Sequence, residues 1–233
     1  MLRQLVLFLC FAMLVLSDIN GSSDGVTRPM KGVAVPCLTD DQLASAVISL
    51  SREYDRAQAA QRLLRQSSKR SSECRQQVVA AVMNAMDRPD LDISRDQAHA
   101  NLWREGALLL GDLKAEQSLD LLLSHIKMMD GEWSTTMTHQ PALEGIIRMG
   151  PVAIPKLKKL LQNQDWQIRH YAVYCLASIG GLSAQRAIET AALIESIPCV
   201  KRFMLTSIQT IDAKHGGLKK DHGEWAKAFT CMS

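Results

Sequence analysis

Two stretches of the chain carry residue types that bind metals. Asp90, Asp92, Ser94 and Asp96 alternate as the oxygen ligands at the start of a calcium loop do, because a hard cation wants several carboxylate and carbonyl oxygens in one tight turn. The pattern does not complete, since Arg95 stands where the turn needs glycine and Asn101 where a bidentate glutamate would close the site. It reads instead as a polar inter-helix turn in which Ser94 or Asp96 caps the next helix. His215, Asp221 and His222 lie in a Gly-rich C-terminal segment with Cys231 as the nearest thiol, at a spacing that matches no zinc pattern. The remaining histidines, His99, His125, His139 and His170, are scattered on helical segments. None is placed with a serine or cysteine as an activated nucleophile requires. No pattern assigns a catalytic residue, a metal or a cofactor.

The cysteines are the other reactive group. Beyond Cys10 there are Cys37, Cys74, Cys175, Cys199 and Cys231, with no Cys-x-x-Cys and no neighbouring histidine, so the ordinary redox and zinc readings fall away. Their compartment is set by the first seventeen residues. Arg3 supplies a positive start, Leu5 to Leu16 form an unbroken apolar run too short to span a bilayer comfortably, and Val15 and Ser17 make a tolerable cleavage pair. This is an export signal, either cut near Ser17 or kept as an N-terminal anchor, and it implies a periplasmic or secreted protein. In such an oxidising setting cysteine pairs persist.

Composition narrows the partner class. Hydrophobic residues make up 47% of the 233 and aromatics only 5%, which indicates an aliphatic, helical interior. The 27 Lys and Arg against 24 Asp and Glu leave a formal charge of +3 spread along the chain, so neither nucleic acid nor an anionic membrane is called for. Lys156, Lys158 and Lys159 form the densest basic cluster and read as a solvated helix face. Any membrane contact rests on the N-terminal segment, if it is uncleaved.

Residues 18–38 are rich in turn formers and read as a linker. Thr39 with Gln42 makes a capping box, and Leu43, Val47, Leu50 and Tyr54 follow at helical spacing, in a helix that continues, with or without a break, to Leu64. A loop over Gln66–Ser72 precedes a second helix, Arg75–Met86. Residues 39–93 are thus a helical pair, open to reading as a degenerate repeat or as a cap.

From residue 94 the chain repeats itself. Gly111, Gly150 and Gly180 each end an apolar helix, where a left-handed residue favours glycine. Aligned on them, Leu110, Met149 and Ile179 stand one residue before, Ala107, Ile146 and Leu176 four before, and Trp103, Ala142 and Ala172 eight before, which is one helical face. Asp96 and Asp165 fall fifteen before their glycines, at helix starts. A fourth unit, with Val200, Met204, Ile208 and Ile211, is anchored at Asp212. The anchors are spaced by 39, 30 and 32 residues. Short second helices follow, with Ala115, Leu119, Leu122 and Ile126, then Ile154, Leu157 and Leu161, then Ala184, Ile188 and Ala191 on single faces. Each hairpin must stack on a neighbour to bury its apolar side.

The segment Asp-Trp-Gln-Ile-Arg-His-Tyr-Ala-Val-Tyr-Cys-Leu-Ala-Ser-Ile-Gly, Asp165 to Gly180, resembles the first helix of a HEAT repeat, particularly the short bacterial kind also found in phycobilin lyases. Met149-Gly-Pro-Val-Ala-Ile-Pro-Lys-Leu resembles that family's turn and second helix. The resemblance covers residues 94–213 and implies an all-α, right-handed α-solenoid, with residues 214–233 as a tail. It also implies a hydrogen-bonded ladder along the stack involving Asp165, Arg169 and, more weakly, Asp96. Ala100 and His139 occupy the position of Arg169, so the ladder should be broken in the first two units.

Function then follows by expectation only: a non-enzymatic, protein-binding scaffold outside the cytoplasm, with a protein partner on the concave face of the second helices. The alternative that the resemblance implies is a lyase or chaperone for a tetrapyrrole, bilin or haem, against which an exported chain argues. Trp133 and Trp166, at inter-repeat turns, are candidate partner contacts. In this register Cys199 matches residue 167, eight positions before Cys175. At about 1.5 Å per residue that offset is roughly 12 Å, beyond the reach of a disulfide. Cys175 is therefore expected to be free and buried, and the expected pairs are Cys37 with Cys74 and Cys199 with Cys231.

Overall fold

The computed structural model describes residues 36–88, 96–129 and 140–211. Among these, ten α-helices run in order: α1 Asp40–Ser49, α2 Tyr54–Ser68, α3 Ser72–Met86, α4 Gln97–Asp112, α5 Leu119–Ser124, α6 Pro141–Met149, α7 Ile154–Leu160, α8 Trp166–Ile179, α9 Leu182–Ile194 and α10 Pro198–Thr210. Short 3-10 turns, Glu116–Ser118 and Gly150–Ala153, lead into α5 and α7. All lie in one compact unit, Pro36–Ser233.

Local chemistry sets the helix starts. Thr39 accepts from the Gln42 N–H while Gln42 returns a bond to the Thr39 N–H, completing the capping box of α1. Asp96 accepts the Ala98 and His99 N–H groups at the start of α4, and Asp165 accepts that of Gln167 at the start of α8. Residues 39–88 hold three helices, because the first of the expected pair takes the break that its sequence allowed. The break falls where Ser49 and Ser51 turn their hydroxyls back onto the Ser45 and Ile48 carbonyls, competing with the next helical turn. Helix α2 then runs through Ser68, beyond the loop assigned from Gln66.

The periodic positions form the core. Leu110, Met149, Ala107, Ile146, Leu176, Trp103, Ala142 and Ala172 are all buried, as are Leu119, Leu122, Leu157 and Ile188 from the second helices. Helix α4 packs on α6, α6 on α8 and α8 on α10, while α2 also meets α4. Trp103 donates its indole N–H to the Met86 carbonyl at 3.1 Å, joining α4 to α3.

The three anchoring glycines divide. Gly150 and Gly180 have φ of +70° and +74°, the conformation glycine allows at a helix end. Gly111 does not end its helix: α4 continues to Asp112, and the positive-φ residue there is Lys114 at 51°. Gly111 is required for close approach instead. A Cβ on it would meet the Gly145 carbonyl oxygen at 2.5 Å, and one on Gly145 would meet the Ala107 carbonyl oxygen at 2.7 Å. These two glycines let α4 and α6 pack nearly backbone to backbone.

Candidate functional site

Two kinds of polar feature stand out on this apolar frame: ties that hold successive hairpins together, and grooves between the second helices. The strongest tie is Arg169 with Glu195, whose side chains are 13% and 2% exposed. The guanidinium fork donates through Nε and Nη2 at 2.6 and 2.8 Å, and Nη1 donates to the Asn163 and Gln164 carbonyls. Burial pushes the Glu195 carboxyl up, but the Arg169 hydrogen bonds and the Ile197 N–H hold it below the usual range. Glu195 thereby fixes the turn into α10. Asp165 makes its ion pair with Lys127, at 2.8 Å, and that hydrogen bond lowers its pKa. Of the three residues that the HEAT resemblance singles out, Arg169 ties α8 to the turn into α10 and Asp165 ties the start of α8 to Lys127, each with a partner from outside the motif. Asp96 serves as a helix cap, and Ala100, at the position of Arg169, is buried.

A second polar junction joins α2, α4 and α6. Gln61 donates to the Glu105 carboxylate at 2.6 Å and Gln58 does so at 3.2 Å. Burial pushes Glu105 above the usual carboxylate range, against the opposing pull of Arg104 and Arg65. One turn pair further on, Asp112 is shared by Arg65 at 2.5 Å and Arg148 at 3.0 Å.

The grooves lie where second helices adjoin. Between α5 and α7, Leu123, Ile126, Leu160 and Ile168 form a floor rimmed by Lys127, Lys156 and Lys159. Its cations are partly spent, because Lys156 pairs with Asp120 at 2.6 Å and Lys127 with Asp165. Between α7 and α9 the walls are Lys158 and Gln162 on one side and Arg186 and Thr190 on the other, over Leu161, Ala187, Ala191 and Ile194. At the end of α9, Leu193 and Ile194 are 82% and 73% exposed.

Of the expected contacts, Trp166 is half-buried and packs against the core. It is the first residue of α8. Trp133, Asp90, Asp92, Ser94, His139, His215, Asp221, His222 and Cys231 lie outside the described residues. Among the described residues no group of three His, Cys, Asp or Glu side chains could hold a metal ion. Ser124 Oγ does lie 3.0 Å from His125 Nδ1, a pairing the sequence reading passed over. The Ser124 hydroxyl donates instead to the Leu121 carbonyl at 2.8 Å, and His125 Nδ1 lies 3.0 Å from the same oxygen.

Cys37 and Cys74, one of the two expected pairs, are disulfide-bonded, with Cα atoms 5.1 Å apart. Cys199 is also in a disulfide. Cys175 is free and fully buried, and burial pushes its thiol pKa far up, which leaves an inert small hydrophobe. Neither Leu193 and Ile194 nor the α7/α9 groove was singled out from sequence. The signal that could have found them is a pair of adjacent aliphatics lying off the Ala184, Ile188 and Ala191 face.

No protein-family model, characterised protein or solved structure compared with the chain shows a significant similarity to it.

Proposed function

We propose that this protein is a non-enzymatic, protein-binding scaffold of the HEAT-like kind, a right-handed α-solenoid acting outside the cytoplasm and holding its partner on the surface of α5, α7 and α9. The observation that carries the reading is the α7/α9 groove, which has an apolar floor that reaches the exposed Ile194, beside the equally exposed Leu193. Burying such a side chain in a partner contributes roughly 1.5–3 kcal/mol, enough to anchor a contact. The solenoid is supported by the repeated face and by the packing of α4, α6, α8 and α10 on one another in turn. Export is supported by the short apolar N-terminal run and by the Cys37–Cys74 bond, since disulfides persist in oxidising compartments.

The test is chemical crosslinking and affinity capture from the native envelope, using the wild-type chain and a Leu193→Asp/Ile194→Asp variant. A partner recovered reproducibly by the first and lost by the second supports the reading. Failure of the wild type to recover any reproducible partner contradicts it. Because both positions are exposed, the variant should melt like the wild type.

A further inference from the structure

The two second-helix grooves differ in one respect that bears on what they hold. In the α5/α7 groove, Lys127 and Lys156 are neutralised within the chain by Asp165 and Asp120, which leaves Lys159 as its one cation without an ion pair among the described residues. In the α7/α9 groove, Lys158 and Arg186 face each other from opposite walls, both exposed, and neither makes an ion pair among the described residues. The nearest acidic residue on the same helix, Glu189, is engaged by Gln185 at 3.0 Å and does not line the groove. Between the two cations the floor is low, because Ala187 and Ala191 stand where larger side chains would fill it, and it leads to Ile194.

We infer that the α7/α9 groove takes an acidic protein segment, one whose carboxylates lie against Lys158 and Arg186 while a large apolar side chain enters over Ala187 and Ala191 toward Ile194. This rests on the scaffold reading and specifies the partner's chemistry. Charge complementarity decides the occupant. Two unneutralised cations at the rim of an apolar floor attract carboxylates and repel a basic segment. A flat anionic membrane could meet the cations but could not reach a floor recessed between two helices. Gln162 and Thr190, beside the cations, add uncharged hydrogen-bonding groups for the segment's backbone.

The experiment uses the full chain and a labelled synthetic peptide in which glutamates flank a central Leu-Trp pair, with binding read by fluorescence anisotropy. The glutamate peptide should bind, and more weakly as salt screens the contact. Its lysine counterpart, and a version with glycines for Leu-Trp, should not. Lys158→Glu/Arg186→Glu should weaken binding by about tenfold or more, while Lys158→Arg/Arg186→Lys should hold it near wild type. Absence of binding by the glutamate peptide overturns the proposal. So does equal binding of the lysine peptide, or binding of phosphatidylglycerol vesicles that the charge reversal abolishes. Native partner capture that survives the charge reversal but is lost in Leu193→Asp/Ile194→Asp sinks this proposal alone and leaves the scaffold reading standing.

Discussion

The junction at the start of the described chain and the one near its end solve the same problem with different materials. Where α2, α4 and α6 meet, the polar groups are two glutamines, the buried Glu105, and an Asp112 that two arginines share while all three stay about one-third exposed. Where α8 meets the turn into α10, a single bidentate pair, Arg169 with Glu195, is almost wholly removed from water. The first junction spreads its interactions over several contributors, of which Gln61 and Glu105 are buried while the Asp112 pairs stay solvated. The second concentrates them in one place. Water access therefore decides which junction a single substitution can break.

The largest effect is expected at the buried pair. Glu195→Ala leaves Arg169 charged and unpaired and should cost about 3–5 kcal/mol in denaturant unfolding, whereas the double change Arg169→Met/Glu195→Leu should recover most of that. A single substitution that costs under about 1 kcal/mol would show that the pair is not the keystone of its junction. Next comes the disulfide. It closes a loop across 37 residues, so by chain entropy Cys37→Ser/Cys74→Ser should cost about 4 kcal/mol, with increased hydrogen exchange concentrated in α1 to α3.

The C-terminal half should also respond to acid. His170 is buried, stacks on Phe203 at 4.1 Å, and has its pKa pushed down by burial to about 4. The unfolded chain would take up that proton near pH 6.5 and the folded chain only near pH 4. Stability is thus full above about pH 6.5 and falls as pH drops, by about 3 kcal/mol once pH is below the folded value. His170→Leu should flatten the thermal-melt profile over that range. The smallest effect belongs to the first junction: Asp112→Ala should cost under about 1 kcal/mol, because both its ion pairs are solvated.

The same contrast explains what could be read from the sequence. The caps at Thr39, Asp96 and Asp165, the terminal glycines Gly150 and Gly180, and the buried helical faces are local patterns, set by neighbours within a turn or two. Gly111 was legible as a needed glycine but not for the right reason, because a helix-ending glycine and one that admits a neighbouring backbone look alike until Gly145 is placed against it. The partner of Arg169 was not legible at all. Glu195 lies 26 residues away, in a turn with no periodicity of its own. Of the groove cations, Lys158 read only as part of a solvated helix face and Arg186 was not singled out, because only the packing of α7 beside α9 puts them on facing walls.

The most direct test of the account is hydrogen–deuterium exchange on the full chain, alone and bound to the partner recovered by crosslinking. Protection confined to α7 and α9, centred on residues 158–162 and 186–194, is the expected result. Protection that falls on the surfaces of α4, α6 and α8 and leaves α7 and α9 unchanged would contradict it.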